Sequence, residues 1–159
     1  MGLKTIALHK ELPLRVISAA VRKESIDMIK TICQAFPALT SLDLRPTSSP
    51  NPILGDEVIQ AAVQYCPMIE ILPTSDWKLS HTGMLALTNT RTLKVLKLPY
   101  TTLYSANESI QSTLQSNPHL VDIDLHGPYI NSALVSSIGK YCRNLKRLSL
   151  KKCLVSMHY

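Results

Sequence analysis

Aromatic side chains are scarce in this chain of 159 residues: one Trp, one Phe and six Tyr, or 5%. A core built without them must be packed by Leu and Ile, which suits a stack of similar thin layers. Glycine is rare too, at five residues, and no Walker-type loop that would cradle a phosphate occurs. G-x-S-x-G and H-E-x-x-H are absent, which removes the nucleophile elbow and the zincin site. The four cysteines, Cys33, Cys66, Cys142 and Cys153, contain no C-x-x-C pair, so zinc-finger spacing and a thioredoxin-type motif are both missing. No run approaches the roughly 18 apolar residues that span a bilayer. Met1-Gly2-Leu3-Lys4 opens no signal-peptide core. Ile6 stands where a myristoylation signal needs Ser or Thr. Asn107-Glu108-Ser109 matches a glycosylation sequon, which stays silent in a chain that is not secreted. These absences point away from an enzyme, a cofactor, a metal and a membrane. They point toward the cytoplasm or nucleus, with reduced thiols.

What is present is a recurring Leu-x-x-Leu-x-Leu pattern. It runs Leu3, Ile6, Leu8; Leu39, Leu42, Leu44; the degenerate Ile69, Leu72, Thr74; Leu93, Leu96, Leu98; Leu120, Ile123, Leu125; and Leu145, Leu148, Leu150. The starts lie 36, 30, 24, 27 and 25 residues apart. The last two apolar positions of each copy are two apart and share one face of a short strand. A strand so short cannot bury that face alone, but stacked copies can. The reading is therefore α/β: a right-handed leucine-rich-repeat solenoid with a parallel sheet on the concave side and helices on the convex side. It takes 1–159 as one domain of about six repeats, with strands near 4–9, 40–45, 70–75, 94–99, 121–126 and 146–151.

The intervening segments carry helical spacing. Val58, Ile59, Ala62 and Val63 form one stripe, with Asp56 as the expected N-cap. Met84, Leu85 and Leu87 follow Ser80-His81-Thr82-Gly83; Ile110 and Leu114 pair at i, i+4; Leu134, Val135 and Ile138 follow a cap at Asn131 or Ser132. Pro37, Pro67 and Pro118 come just after three of these helices. A long helix is expected from Arg15 to Ala35, with a break at Glu24–Asp27, and a surface loop from Arg45 to Leu54.

The stretch Tyr141-Cys142-Arg143-Asn144-Leu145-Lys146-Arg147-Leu148-Ser149-Leu150-Lys151-Lys152-Cys153 closely resembles the cysteine-containing leucine-rich repeat typical of F-box proteins and their F-box-free relatives. Cys142 and Cys153 match both cysteine places of that repeat, and Cys66 matches the first in Cys66-Pro67-Met68-Ile69. The helix openings Leu54–Ile59, Leu79–Leu85 and Tyr129–Leu134 look similar as well. Phe36, Thr90 and Asn117 stand where the other cysteines would be. The resemblance implies an arc that recognises a substrate protein. No F-box is visible before the second copy, so a tie to ubiquitin transfer is analogy alone.

The sheet face opposite the core is the candidate docking surface. Its columns read Thr5, Ser41, Ile71, Val95, Asp122, Arg147; then Ala7, Asp43, Pro73, Lys97, Asp124, Ser149; then His9, Arg45, Ser75, Pro99, His126, Lys151. The candidates on it are Asp43, Arg45, Ile71, Val95, Lys97, Asp122, Asp124, His126, Arg147 and Lys151. Ile71 and Val95 form its apolar centre. Pairs are expected between Lys97 and Asp124 and between Asp122 and Arg147. Asp122, Asp124 and His126 share a face, but neighbours two apart lie roughly 6.5–7 Å from one another, too wide for one metal ion. Cys142 and Cys153 read as small core groups, with a disulfide or metal pair as the other reading.

The net charge is +6, and one basic cluster stands out: Lys140, Arg143, Lys146, Arg147, Lys151 and Lys152. It is either a solvated rim or a site for acidic partners or nucleic acid. The functional expectation is a non-catalytic protein-protein interaction module, with a substrate adaptor as the form the resemblance implies. The alternative is a structural subunit of a larger, RNA-containing assembly docked through the basic end. Both ends look uncapped, to be covered by a partner or by further repeats.

Overall fold

The computed structural model describes residues 7–22, 25–47, 52–72, 77–98, 106–128 and 130–152, the side chains of 52–54 excepted. Along these the order is β1 (Val16–Val21), α1 (Ile26–Ala35), β2 (Ser41–Pro46), α2 (Pro52–Tyr65), α3 (His81–Leu87), β3 (Val95–Leu98), α4 (Ala106–Ser116), β4 (Asp122–His126), α5 (Ser132–Tyr141) and β5 (Arg147–Lys151). All pairing is parallel. β1 and β2 form a two-stranded sheet; β3, β4 and β5 form a three-stranded one in that order. Each helix packs on the next in sequence.

This overturns the expected solenoid with six strands in one sheet. Among the described residues the architecture is α/β with two small parallel sheets and five helices. Three local departures account for much of the difference. The strand expected near 4–9 falls largely outside the described residues, and 7–8 form a turn. β1 lies instead within the expected Arg15–Ala35 helix, of which only Ile26–Ala35 is helical. Ile17, Ala19 and Val21 turn inward at period two while Val16, Ser18 and Ala20 face out; β-branched residues at this spacing favour a strand. Lastly, of the strand expected at 70–75 only 70–72 lie among the described residues, and there Ile71 alone bridges Ser41 on one side and Val95 on the other. The break between the sheets falls here.

The backbone nonetheless follows one rule across that break. Five carbonyls each accept two consecutive amides from the next segment: Arg15 from Thr40 and Ser41, Thr40 from Glu70 and Ile71, Glu70 from Lys94 and Val95, Lys94 from Val121 and Asp122, and Val121 from Lys146 and Arg147. The core lies between the strands and helices. Ile17, Leu42, Leu72, Leu96 and Ile123 are all buried, as are the helical pairs Ile29 and Ile32, Ile59 and Ala62, Met84 and Leu87, Ile110 and Leu114, and Leu134 and Ile138. Each large apolar side chain so buried contributes about 1.5–3 kcal/mol.

The residue after each of α1, α2, α4 and α5 is buried: Phe36, Cys66, Asn117 and Cys142. Its carbonyl accepts the amide three residues on, at Leu39, Ile69, Leu120 and Leu145. At the corresponding Thr90 this turn bond is replaced. The Asn117 carboxamide inserts between the two groups. Its Nδ2 donates to the Thr90 carbonyl (3.2 Å), and its Oδ1 accepts from the Leu93 amide (2.9 Å). Nδ2 also donates to Thr90 Oγ1 and to the Thr113 carbonyl. A fully buried polar side chain is tolerable here because its partners surround it.

Asp56 is not a helix cap. It sits inside α2, which begins earlier than expected. It accepts the Ser80 amide at 2.9 Å and the Ser80 hydroxyl, and Ser80 in turn accepts the Thr82 amide at the start of α3. A Cβ on Gly83 would meet the Asp56 carboxylate, which would have to shift from its place beside Ser80 to admit it. Asn131 caps α5 by accepting the Leu134 amide.

Candidate docking surface

The outward strand positions fall in register. Val16 lies beside Ser41, Ser41 beside Ile71, Ile71 beside Val95, Val95 beside Asp122 and Asp122 beside Arg147. Neighbours in such a row stand about 4.8 Å apart. The row is apolar at one end and charged at the other. Val16 is 60% exposed and Ile71 39%, while Asp122 is 6% exposed.

Asp122 is the centre of the charged part. Arg147 Nη2 donates to its Oδ2 at 2.8 Å, and Lys97 Nζ approaches the same oxygen at 3.8 Å. Lys97 therefore pairs with Asp122, not with Asp124 as expected. Asp124 is turned to His126, with 3.1 Å between Oδ1 and Nε2. In the other sheet, Arg45 lies 3.3 Å from Asp43, and the Ser18 hydroxyl donates to Asp43 at 3.0 Å. The Arg45 pair is solvated and worth about 0–1 kcal/mol. Asp122 differs, because a nearly buried carboxylate that loses its cations keeps the full cost of its burial.

Lys97, Asp122, Asp124, Lys146, Arg147, Leu148 and Ser149 line an open depression of about 560 Å³. Four sequence candidates, Lys97, Asp122, Asp124 and Arg147, thus meet at one place. Ile71 and Val95 adjoin it along the row, and His126 and Lys151 pair in register at the far ends of β4 and β5. Asp43 and Arg45 stand on β2 in the other sheet. Thr5, Pro73, Ser75 and Pro99 lie outside the described residues. Val16 and Ser18 belong to the face and were missed, because their segment read as a helix. The signal for them was present: Leu14, Ile17 and Ala19 precede Leu39, Leu42 and Leu44 by 25 residues each.

Among the described residues no group of three His, Cys, Asp or Glu is placed to hold a metal ion. Cys33, Cys66 and Cys142 are buried free thiols; Cys153 lies outside the described residues. The hydrogen bond that Cys33 shares with Cys66, and then burial, push the Cys33 thiol far above its ordinary range. Burial raises Cys142. Among the described residues no helix is long and apolar enough to cross a membrane.

Comparison of the chain with protein-family models finds no match, and neither does comparison with curated proteins.

Proposed function

We propose that this chain is a non-catalytic protein-interaction module that docks a partner protein on its strand face, in a cytoplasmic or nuclear setting. The observation that carries the reading is the composition of one register row. Exposed Val16 and Ile71 run through Val95 into the Asp122–Arg147 pair beside an open depression. Protein interfaces combine an apolar centre with a polar, charged rim in this way, and the centre carries most of the affinity. The row is held by parallel strands, so little ordering cost falls on binding. The substrate-adaptor form of the reading rests on the resemblance carried by Tyr141–Cys153, Cys66–Ile69 and the helix openings.

The experiment is affinity purification with mass spectrometry from the native cell, followed by pull-down of the recovered partner. The combined exchange Lys97→Glu and Asp124→Lys alters the rim and leaves Asp122 with Arg147. Loss of the partner at unchanged circular dichroism supports the reading. Undiminished capture by the exchanged chain removes the strand face from consideration.

A further inference from the structure

The last strand of the three-stranded sheet is unlike its neighbours. Leu148 belongs to the row Ile17, Leu42, Leu72, Leu96 and Ile123, all 8% exposed or less, yet it is itself 45% exposed. Leu145 and Leu150 beside it are only partly buried. Among the described residues no strand pairs with the outer side of β5. Arg147 donates back to Val121, so by strand alternation the amides of Leu148 and Leu150 point away from β4. At the equivalent place in β2 the Leu42 amide donates forward to the Ile71 carbonyl. An exposed apolar edge of this kind is a template for another strand.

Charge says what kind of strand. The last acidic residue of the chain is Asp124. After it come Lys140, Arg143, Lys146, Arg147, Lys151 and Lys152, all exposed. The remaining eleven cations balance the eleven acidic residues, so the whole net charge of +6 lies beyond His126. A second copy of the chain would bring two such ends together and be repelled. Nucleic acid would satisfy the cations but leave the leucines and the open amides without a match. An extended peptide with alternating acidic and apolar residues satisfies all three features.

We infer that the β5 edge, which shares Lys146, Arg147 and Leu148 with the depression on the strand face, takes an acidic, leucine-bearing segment of a partner protein as an added parallel or antiparallel strand. Backbone bonds would supply affinity, Leu148 the apolar contact, and the lysines and arginines the selection for acidic partners.

Fluorescence anisotropy on the full chain tests this. The probes are a labelled octapeptide alternating Glu with Leu, the same peptide with Lys for Glu, the Glu peptide N-methylated at alternate amides, and poly-uridine RNA. The expected result is saturable binding of the Glu peptide only. Binding should fall at least tenfold in Leu148→Glu and, should that variant fold poorly, in the double variant Lys151→Glu, Lys152→Glu. The rim exchange Lys97→Glu, Asp124→Lys should leave it intact. Binding of RNA in preference to the Glu peptide, equal binding of the N-methylated peptide, or no peptide binding at all overturns the inference.

Discussion

Asn117 offers a sharp test of how the layers are joined. Its carboxamide takes the place of a turn bond between Thr90 and Leu93 and ties both to α4 through Thr113. Asn117 and Leu93 are fully buried, so water cannot replace the lost partner. In Asn117→Ala the Leu93 amide loses its acceptor, at about 1–3 kcal/mol for a buried unpaired group, and the remaining lost bonds add about 0.5–1.5 kcal/mol each. With three such bonds lost, a total of at least about 3 kcal/mol is expected. For a domain of this size that is a fall in Tm of at least roughly 6 °C. Urea unfolding followed by circular dichroism should show a lower midpoint with an unchanged slope. Asn117→Asp sharpens the test. It keeps the acceptor for Leu93 but turns an oxygen toward the Thr90 and Thr113 carbonyls. Burial and those carbonyls raise its folded-state pKa above the unfolded value of about 3.9. A raised folded pKa means stability is retained below about pH 4 and lost as pH climbs toward neutrality. A loss below about 1 kcal/mol in Asn117→Ala, or a flat pH profile in Asn117→Asp, would refute the bridging role.

Two further outcomes follow from the same contacts. Gly83→Ala drives a methyl into the Asp56 carboxylate and should cost about 1–3 kcal/mol by urea unfolding, whereas Gly139→Ala, which meets nothing, should stabilise α5 by a few tenths to about 1 kcal/mol. In a Cys153→Ser background, Ellman's reagent at pH 8 should find none of Cys33, Cys66 and Cys142 in the native protein and all three in urea, because they are buried and at Cys33 and Cys142 the thiol is held protonated; rapid native labelling would contradict that burial.

The strands were legible where their sequence is locally consistent. Leu96 and Leu98, Ile123 and Leu125, and Leu148 and Leu150 place β3, β4 and β5 by their two-residue spacing alone. The first strand was not, because Leu3-Ile6-Leu8 mimics the pattern better than Leu14-Ile17-Ala19, in which an alanine stands for the last leucine. Pairing decides for the latter: Ile17 lies beside Leu42 and Ala19 beside Leu44. The anomalous 36-residue first interval was the clue, since the same step measured from Leu14 is 25 residues. The single sheet failed at Ile71, where among the described residues one residue alone bridges. Of the docking surface, the residues were legible from strand alternation but the partners were not. Lys97 reaches diagonally to the carboxylate already held by Arg147, a choice made by side-chain length and burial, which spacing does not encode.

The most direct measurement compares an exposed apolar residue on the strand face with one on a helix. Ile71 is 39% exposed on the strand face, and Leu85 is 47% exposed on helix α3. Binding of the purified partner to Ile71→Asp and Leu85→Asp, each checked for folding by circular dichroism, separates the strand face from the helical one. Docking on the strand face predicts at least a tenfold loss for Ile71→Asp and no change for Leu85→Asp. Equal affinities, or a loss confined to Leu85→Asp, would contradict it.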